Sequence, residues 1–471
     1  MPKKKETKEK SAGEQLKEKL VYKKKSAFEK CPDEEKAVFE YCEGYKKFLD
    51  NGKTERDATK YSIELAKKKG FKEYKFGAKV KAGEKYYYNN RGKSVYFFII
   101  GSEDIEKGIA ITAAHIDSPR LDLKANPVYE AGGMAFLKTH YYGGIKKYQW
   151  TALPLALHGV VTLADGKTVD VMIGEDESDP LFYINDILPH LARDQYAKQV
   201  GAAIEGEQLN LLCGSKPFDT ETGEAIKLNL LRLFNEKYGM TEVDFQSAEL
   251  CAVPAMKARD IGLDRSLLAA YGHDDKVCAY PEITAILSLE NPEKTVMSIL
   301  ADKEETGSDG NTGMKTSAFC DIIADICASM KKNERVVRAN STCLSADVSA
   351  AYDPNFAGAY EINNSALINC GIALCKYTGG GGKSSTNDAS GEYVGKIRKI
   401  FDDAGVVWQT AELGKVDQGG GGTVAKFISE KNIDTVDVGV PVISMHAPYE
   451  VVSKFDVYNM HKAVVAFYTA K

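Results

Sequence analysis

No stretch of the 471-residue sequence has the ~18 consecutive apolar residues that indicate a transmembrane helix. The opening segment lacks the apolar core of a secretory signal, and its glutamates argue against a mitochondrial presequence. The net charge of -5 includes no large basic excess, so nucleic acid is not expected as the main partner. We therefore expect a cytoplasmic protein that binds neither membrane nor nucleic acid, with residues 1–30 as a flexible, solvated arm.

Paired cysteine motifs are also absent. The ten cysteines include no C-x-x-C pair, and Cys278, Cys320, Cys327 and Cys343 lie in apolar runs. Buried, scattered thiols indicate a reducing compartment and predict neither a zinc knuckle nor a disulfide framework.

A phosphate-binding loop fails on its spacing. The glycine cluster at 379–382 precedes Lys383 and Ser384, but the motif requires glycine where this sequence has Tyr377. A second glycine cluster spans 419–422. Flexible backbone that lines a cleft is the better interpretation of both clusters.

Apolar strands alternate with helical patterns over much of the chain, which predicts an α/β fold with a mostly parallel central sheet and helices on both faces. Residues 124–261 differ, because they are rich in β-like segments and carry a hairpin signal at Asp165-Gly166. We interpret them as an inserted domain for assembly or for covering the site. The catalytic domain would then consist of residues 1–123 and 262–471.

The stretch 295–313 holds the clearest candidate site. The apolar run Val296–Ala301 ends abruptly in Asp302, Lys303 and the pair Glu304-Glu305, as expected for a buried strand that enters a turn. Paired carboxylates at a strand end suit a site where one binds a metal and the other moves a proton. An exposed acidic loop is the alternative for this pair alone.

Other chemical side chains follow apolar strands in the same way. His115 ends the strand 109–114, and Asp117 lies where it can orient a metal-bound imidazole. Asp347 follows the strand 342–346, and His446 follows the strand 440–445. Each of these residues taken singly also suits a structural role.

The segment His273-Asp274-Asp275-Lys276 precedes a helix that we expect to start around Pro281, and an acidic N-cap cluster is the plain alternative. Ligands of parallel sheets bind at the carboxyl ends of the strands, so these scattered residues can converge. Two histidines and several carboxylates suit zinc, cobalt or manganese.

Six segments together resemble the aminopeptidase I and aspartyl aminopeptidase family of dinuclear metallopeptidases, in its bacterial branch. They are AAHIDSPRLDLK, GHDDK, DKEETGS, SADVSAAYDPNF, GGGGT and SMHAPYE, and they occur in the family's order from about residue 35 onward. The resemblance implies a zinc-exopeptidase-like catalytic domain interrupted by a β-rich domain. It also implies peptide substrates and a large homo-oligomer, typically a tetrahedral dodecamer.

The resemblance implies a role for each matching residue. His115 and Asp347 would hold one divalent metal ion, Glu305 and His446 the second, and Asp274 would bridge them. Glu304 would be the general base, and Asp117 would orient His115. Gly421, Gly422 and Thr423 are candidates for lining the substrate pocket.

The sequence departs from the aspartyl branch of the family in its substrate residues. Tyr148 occupies the position of a histidine that reaches a neighbouring subunit's site, and the Asp-Arg pair expected shortly after it is absent. Lys383 is the nearest candidate for the basic residue that reads an acidic side chain. A broad or neutral N-terminal preference is therefore an open alternative to an acidic one.

Two further alternatives concern the activity. A deacylase, amidase or dipeptidase would keep both metal ions and change the substrate, whereas an oligomeric scaffold would keep only the fold. A complete ligand set beside Glu304 favours the aminopeptidase, because a scaffold has no use for an additional base.

Overall fold

The computed structural model describes residues 10–470, whose strands and helices are numbered in chain order. The strands are β1 Lys72–Glu73, β2 Lys85–Asn90, β3 Ser94–Ile99, β4 Ile109–His115, β5 Arg120–Ala131, β6 Met134–Tyr142, β7 Leu155–Thr162, β8 Thr168–Ile173, β9 Tyr183–Ile184, β10 Leu211–Gly214, β11 Ala248–Pro254, β12 Arg259–Ile261, β13 Leu267–Ala270, β14 Thr295–Ala301, β15 Thr342–Ala346, β16 Ser349–Ala350, β17 Ile372–Cys375, β18 Trp408–Thr410, β19 Asp434–Gly439, β20 Pro441–Ile443 and β21 Glu450–Ser453. The α-helices are α1 Ala12–Leu20, α2 Ala27–Lys30, α3 Glu35–Asn51, α4 Glu55–Lys68, α5 Arg193–Tyr196, α6 Val200–Ala203, α7 Ala225–Tyr238, α8 His273–Ser288, α9 Ala318–Met330, α10 Glu334–Asn340, α11 Gly391–Asp403, α12 Ala425–Ser429 and α13 Lys454–Thr469.

A nine-stranded sheet in the order β1-β2-β3-β14-β4-β15-β19-β17-β18 forms the main layer. Its central strands β14, β4, β15 and β19 run parallel, whereas β3 and β17 pair antiparallel with β14 and β19 on either side. The sheet is therefore mixed, and the prediction of an α/β fold is confirmed. The carboxyl ends of the four central strands meet at one edge.

Both faces of the main sheet are covered, as the alternation along β14 demonstrates. Val296 and Leu300 belong to the core packed by α3, α4, α8, α11 and α13, whereas Met297 and Ile299 belong to the core packed by α9 and α12. Because successive side chains of a strand point to opposite faces, one fully buried strand contributes to both cores.

A second, antiparallel sheet is built entirely from strands between Arg120 and Pro254, in the order β8-β7-β11-β5-β6-β10-β9. It has its own core around the fully buried Trp150, to which α7 contributes Ile226, Leu230 and Phe234. The predicted hairpin around Asp165-Gly166 is confirmed as β7 and β8.

A third, small sheet has the strand order β12-β13-β21-β20-β16. The predicted strand 440–445 is too long, because β20 spans only Pro441–Ile443 and pairs with β16 and β21 of this small sheet. Val440 is buried but belongs to the turn from β19 to β20, and His446 lies in the following loop with a positive φ of 66°.

The helix expected to start around Pro281 begins earlier, at His273, so that prediction is wrong. Pro281 lies inside α8, and Asp274 and Asp275 have non-helical backbone angles in its first turn. The helix continues across the proline because Val277, Ala279, Ile283 and Ile286 are fully buried in the core, and this packing outweighs the lost backbone bond.

Local signals in the sequence agree with three of these elements. Helix α3 ends just before Gly52, the hairpin β2–β3 turns at Arg91 and Gly92, and Thr54 with Asp57 forms a capping box at α4.

In the N-terminal segment, the part before residue 10 lies outside the described residues. Helix α1 has no buried residue, whereas Ala27 is buried against Val38 and Phe455. The chain is thus anchored to the body from about Ala27. None of the helices in residues 10–470 has the length and apolar character needed to cross a membrane.

Candidate metal centre

The five predicted ligands converge into two adjacent groups. His115, Asp274 and Asp347 form one group, and Asp274, Glu305 and His446 form the other, with the ligand atoms of each group within 4.8 Å of one another. Asp274 belongs to both. Its Oδ1 lies 3.1 Å from His115 Nε2, and its Oδ2 lies 3.1 Å from His446 Nε2. One carboxylate therefore faces both histidines at the carboxyl edge of the main sheet.

Asp274 is fixed by contacts to its own backbone. Its carbonyl oxygen accepts a hydrogen bond from Ser118 Oγ at 2.7 Å, and its N–H donates to Glu450 Oε2 at 3.1 Å. Ser118 in turn accepts from the fully buried Lys276 Nζ at 2.7 Å. These contacts hold the non-helical first turn of α8 in place, so the carboxylate points into the site.

His115 ends β4, and its ring is oriented through Nδ1. That nitrogen lies 3.1 Å from the carbonyl oxygen of Asp117 and 3.3 Å from its Oδ1, which leaves Nε2 to face Asp274. The Asp117 carboxylate also accepts the N–H groups of Glu304 and Glu305, each at 3.2 Å. Asp117 thus links the end of β4 to the paired glutamates.

Glu304 and Glu305 form a short 3-10 helix, Glu304–Thr306, immediately after β14. Glu305 belongs to the second group, with its Oε1 3.6 Å from His446 Nε2. Glu304 belongs to neither group, and its Oε2 lies 3.9 Å from His115 Nε2. Burial raises the pKa of Glu304 to about 7. This carboxyl is therefore suited to take up and release a proton near neutral pH.

The residues present fit divalent cations. Glu305 Oε1 is buried and has no hydrogen-bond partner among the described residues, which is costly unless a ligand compensates. Burial and the nearby carboxylates raise the pKa of Glu305 and of Asp347. Although burial opposes it, hydrogen bonds from both histidines hold the pKa of Asp274 below its usual range. The site is thus short of positive charge. Nitrogen and oxygen donors of this kind suit zinc.

A cavity of about 430 Å³ opens onto the two groups, and Asp274, Glu304, Asp347 and His446 form part of its wall. The two glycine clusters form another part. Gly379 N–H donates to Gly421 O at 2.7 Å, which joins the two loops. The predicted cleft lining by glycine-rich backbone is observed.

The candidate substrate residues are distributed as follows. Lys383, Gly421, Gly422 and Thr423 all line the cavity. The Thr423 hydroxyl donates to Asp437 Oδ1 at 2.7 Å, which anchors its loop to β19. Lys383 Nζ lies 3.7 Å from the centre of the Tyr377 ring and 3.2 Å from Asp388 Oδ2, so its charge is already engaged.

Three residues of the region 124–261 lie apart from the cavity wall of this chain. Tyr148 is 44% exposed, and its predicted place at a neighbouring subunit's site stays a prediction. His140 is exposed beside Tyr141, and His158 is buried between Asp57 and Glu175.

Sequence reasoning missed several residues that support the ligands. Glu450 is buried and accepts the N–H of His446 at 2.7 Å as well as that of Asp274. Gly144 O lies 2.8 Å from His446 Nδ1, and the Tyr142 hydroxyl donates to Asp117 Oδ2 at 2.7 Å. Glu450 lies within the segment SMHAPYE, and its position at the start of an apolar strand was the one signal available.

The geometry agrees with comparison to known proteins. The family model of the aminopeptidase I zinc metalloproteases (M18) matches residues 48–468. The chain belongs to this family. It is 48% identical over 458 residues to a probable M18 family aminopeptidase 1 of Clostridium acetobutylicum, covering 95% of this chain and 98% of that protein.

Solved structures of M18 aminopeptidases share the fold. A crystal structure of the Thermotoga maritima M18 aminopeptidase superposes with a TM-score of 0.91 at 39% identity, covering 96% of this chain and 100% of that chain. Aminopeptidase I from Clostridium acetobutylicum gives 0.89 at 45% identity, covering 95% and 99%. The S. cerevisiae mApe1 dodecamer, at 21% identity and a TM-score of 0.74, supports the fold alone. As a member of the M18 family, the chain is a metal-dependent aminopeptidase. The deacylase and scaffold alternatives gain no support from these relatives.

Proposed function

We propose that this M18 aminopeptidase removes N-terminal amino acids from peptides with two divalent metal ions per chain. Zinc is the first choice, and cobalt or manganese are alternatives. The observation that carries the proposal is the pair of ligand groups that share Asp274 beside an uncommitted Glu304 at the wall of a cavity. His115 and Asp347 would hold one ion, Glu305 and His446 the other, and Asp274 would bind both.

The two ions, when bound, would polarise the scissile carbonyl and make a water molecule more acidic. Glu304 accepts the proton of the attacking water and delivers it to the leaving amine. Its position 3.9 Å from His115 Nε2 and its raised pKa of about 7 support this role. Asp117 contacts His115 Nδ1 and accepts hydrogen bonds from the N–H groups of Glu304 and Glu305. It therefore holds the proposed base and two of the proposed metal ligands in fixed relative positions.

The cavity supports a preference for neutral N-terminal residues. An acidic side chain would need a free cation, but Lys383 already contacts Asp388 and the Tyr377 ring. The other lysine of the wall, Lys415, forms no ion pair among the described residues, but Glu412 in the same wall opposes its charge. Val348, Cys375, Leu413 and Met445 supply apolar wall. Gly421, Gly422 and Thr423 would position the peptide by backbone contacts, within a loop that Asp437 anchors.

We further propose a domain organisation, an oligomeric state and a cellular location for the protein. Residues 1–123 and 262–471 form the catalytic domain, and 124–261 form an inserted domain with its own sheet and core, for assembly or for covering the site. The protein acts in the cytoplasm as a large homo-oligomer, a tetrahedral dodecamer by resemblance to the family. Ten free cysteines agree with a reducing compartment.

The experiment is hydrolysis of aminoacyl substrates with acidic, basic and apolar first residues, after loading the protein with zinc, cobalt or manganese. Matched peptides with blocked N-termini are the control. Chelator-sensitive release of one terminal residue, faster for apolar than for acidic residues, is expected. Cleavage of blocked peptides would contradict N-terminal specificity, and a rate highest for acidic residues would contradict the role given to Lys383.

A further inference from the structure

The end of β6 and the loop that follows it belong to the region of the seven-stranded sheet, yet they contact the metal centre of the other region. Three consecutive residues contact three different residues of the site. The Tyr142 hydroxyl donates to Asp117 Oδ2 at 2.7 Å. Gly143 packs on Glu305, and Gly144 O lies 2.8 Å from His446 Nδ1.

We infer that the segment 142–144 is a positioning element of the metal centre, and above all of the ion held by Glu305 and His446. This inference rests on the proposed two-metal function. It gives the inserted region a direct part in the chemistry, beyond assembly or cover.

The contact to His446 fixes one form of the imidazole. A carbonyl oxygen can only accept a hydrogen bond, so the Gly144 contact requires the proton on Nδ1 and leaves Nε2 free to bind a metal. Nε2 is the nitrogen that faces Asp274 Oδ2 at 3.1 Å. His446 also has a positive φ of 66°, so its orientation depends on such outside contacts.

The contact to Glu305 depends on the absence of a side chain. A Cβ atom built on Gly143 would lie 3.1 Å from Glu305 Oε2 and 3.3 Å from Glu305 Cβ. Both distances are tighter than ordinary contacts, so the carboxylate would have to shift by a few tenths of an ångström. A metal ligand tolerates little displacement, because bond lengths to zinc vary by only ~0.2 Å.

The segment is held firmly enough to position its partners. Tyr142 pairs with Arg120 across β5 and β6, and the Arg120 guanidinium lies 4.1 Å from the Tyr142 ring centre. Arg120 also bonds Glu55 Oε2 at 2.7 Å, which ties the strand end to α4. Ile145 packs against the core of the seven-stranded sheet.

The chain offers a matched control. Gly133 has a φ of 76°, close to the 74° of Gly143, but a Cβ on Gly133 would meet nothing within 4 Å. Alanine therefore strains the backbone equally at both positions and contacts a metal ligand only at Gly143. The test is titration of metal-free full-length protein with cobalt alone, followed by visible absorption and equilibrium dialysis. His446→Ala supplies the profile of a protein that has lost the second ion.

We expect Gly133→Ala to give the same titration profile as the wild type, with two ions bound per chain. Gly143→Ala should keep one tight ion and bind the second ~10–100-fold more weakly, approaching the profile of His446→Ala. Tyr142→Phe, which removes only a hydroxyl, is the second variant if Gly143→Ala does not fold. It should weaken the ion at His115, because Asp117 loses a hydrogen bond.

If Gly143→Ala and Tyr142→Phe both bind cobalt with the same profile as the wild type, the inference is overturned. Equal loss in Gly133→Ala would also overturn it, because backbone strain alone would then explain the effect. A wild type that binds fewer than two ions would instead refute the two-metal function on which the inference rests.

Discussion

Replacing Glu304 with glutamine should separate proton transfer from metal binding. Glu304 belongs to neither ligand group, and its Oε2 lies 3.9 Å from His115 Nε2, beyond hydrogen-bond distance. Glutamine has the same shape and removes only the charge and the basicity. The fold and both metal positions should therefore survive the substitution.

The expected loss can be estimated from the role of a general base. Removing such a group costs ~10²–10⁴ in rate, which is about 3 to 5 kcal/mol of activation free energy. In the wild type the rate should fall as the pH drops through the pKa of Glu304. Burial raises this pKa to about 7, and bound cations lower it. The acidic limb of the pH profile should be lost in Glu304→Gln.

The assay combines steady-state hydrolysis of an apolar aminoacyl substrate with elemental analysis of bound metal. Glu305→Gln is the matched control, because it changes the adjacent residue of the same 3-10 helix and should lose metal as well as rate. A turnover of Glu304→Gln within about tenfold of the wild type would refute the assignment of the base. Loss of metal in Glu304→Gln would place this residue among the ligands instead.

The remaining predictions concern metal, pH and a helix cap. Asp274→Ala should lower occupancy at both metal positions by elemental analysis, and full occupancy would remove it from the bridge. Although burial opposes it, hydrogen bonds to Asp57 and Glu175 raise the pKa of His158 in the folded protein. The protonated His158 therefore stabilises the fold fully below its pKa in the unfolded chain, and this contribution is lost as the pH rises through the raised pKa of the folded protein. His158→Gln should flatten the decline of the melting temperature as the pH rises above the ordinary histidine pKa of ~6.5, and an unchanged slope would contradict this. Thr54→Ala should destabilise the protein by about 1 kcal/mol through loss of the α4 cap, as measured by denaturation.

The first ligand group could be predicted from the sequence because it depends on strand ends of one sheet. His115 ends β4 and Asp347 follows β15, and these strands are parallel neighbours in the main sheet. Glu305 follows β14, on the other side of β4. An apolar run that ends in a metal-binding residue type can be recognised locally in the sequence. Because the strands are parallel, the residues at their carboxyl ends then lie close together.

The environment of His446 and Asp274 could not be predicted in the same way. The run 440–445 is apolar except for Ser444, and its pattern does not reveal that β19 ends at Gly439 and that β20 joins another sheet. The start of α8 was missed because proline is favoured in a first turn, whereas buried packing carries this helix past Pro281. Both errors concern tertiary contacts that a local pattern does not contain.

The two proposed metal positions therefore differ in how they are built. The position of His115 and Asp347 rests on two paired strands of one sheet, with Asp274 added from the small sheet's side. The position of Glu305 and His446 combines a 3-10 helix of the main sheet, a loop of the small sheet and the backbone of Gly144 from the seven-stranded sheet. A shift of any of these three elements alters the second position. The first rests mainly on strand pairing that is costly to disturb, and it contacts the seven-stranded sheet only indirectly, through Asp117 and Tyr142. We therefore expect the ion proposed at Glu305 and His446 to be bound more weakly than the one proposed at His115 and Asp347, and the two steps of the cobalt titration measure this difference.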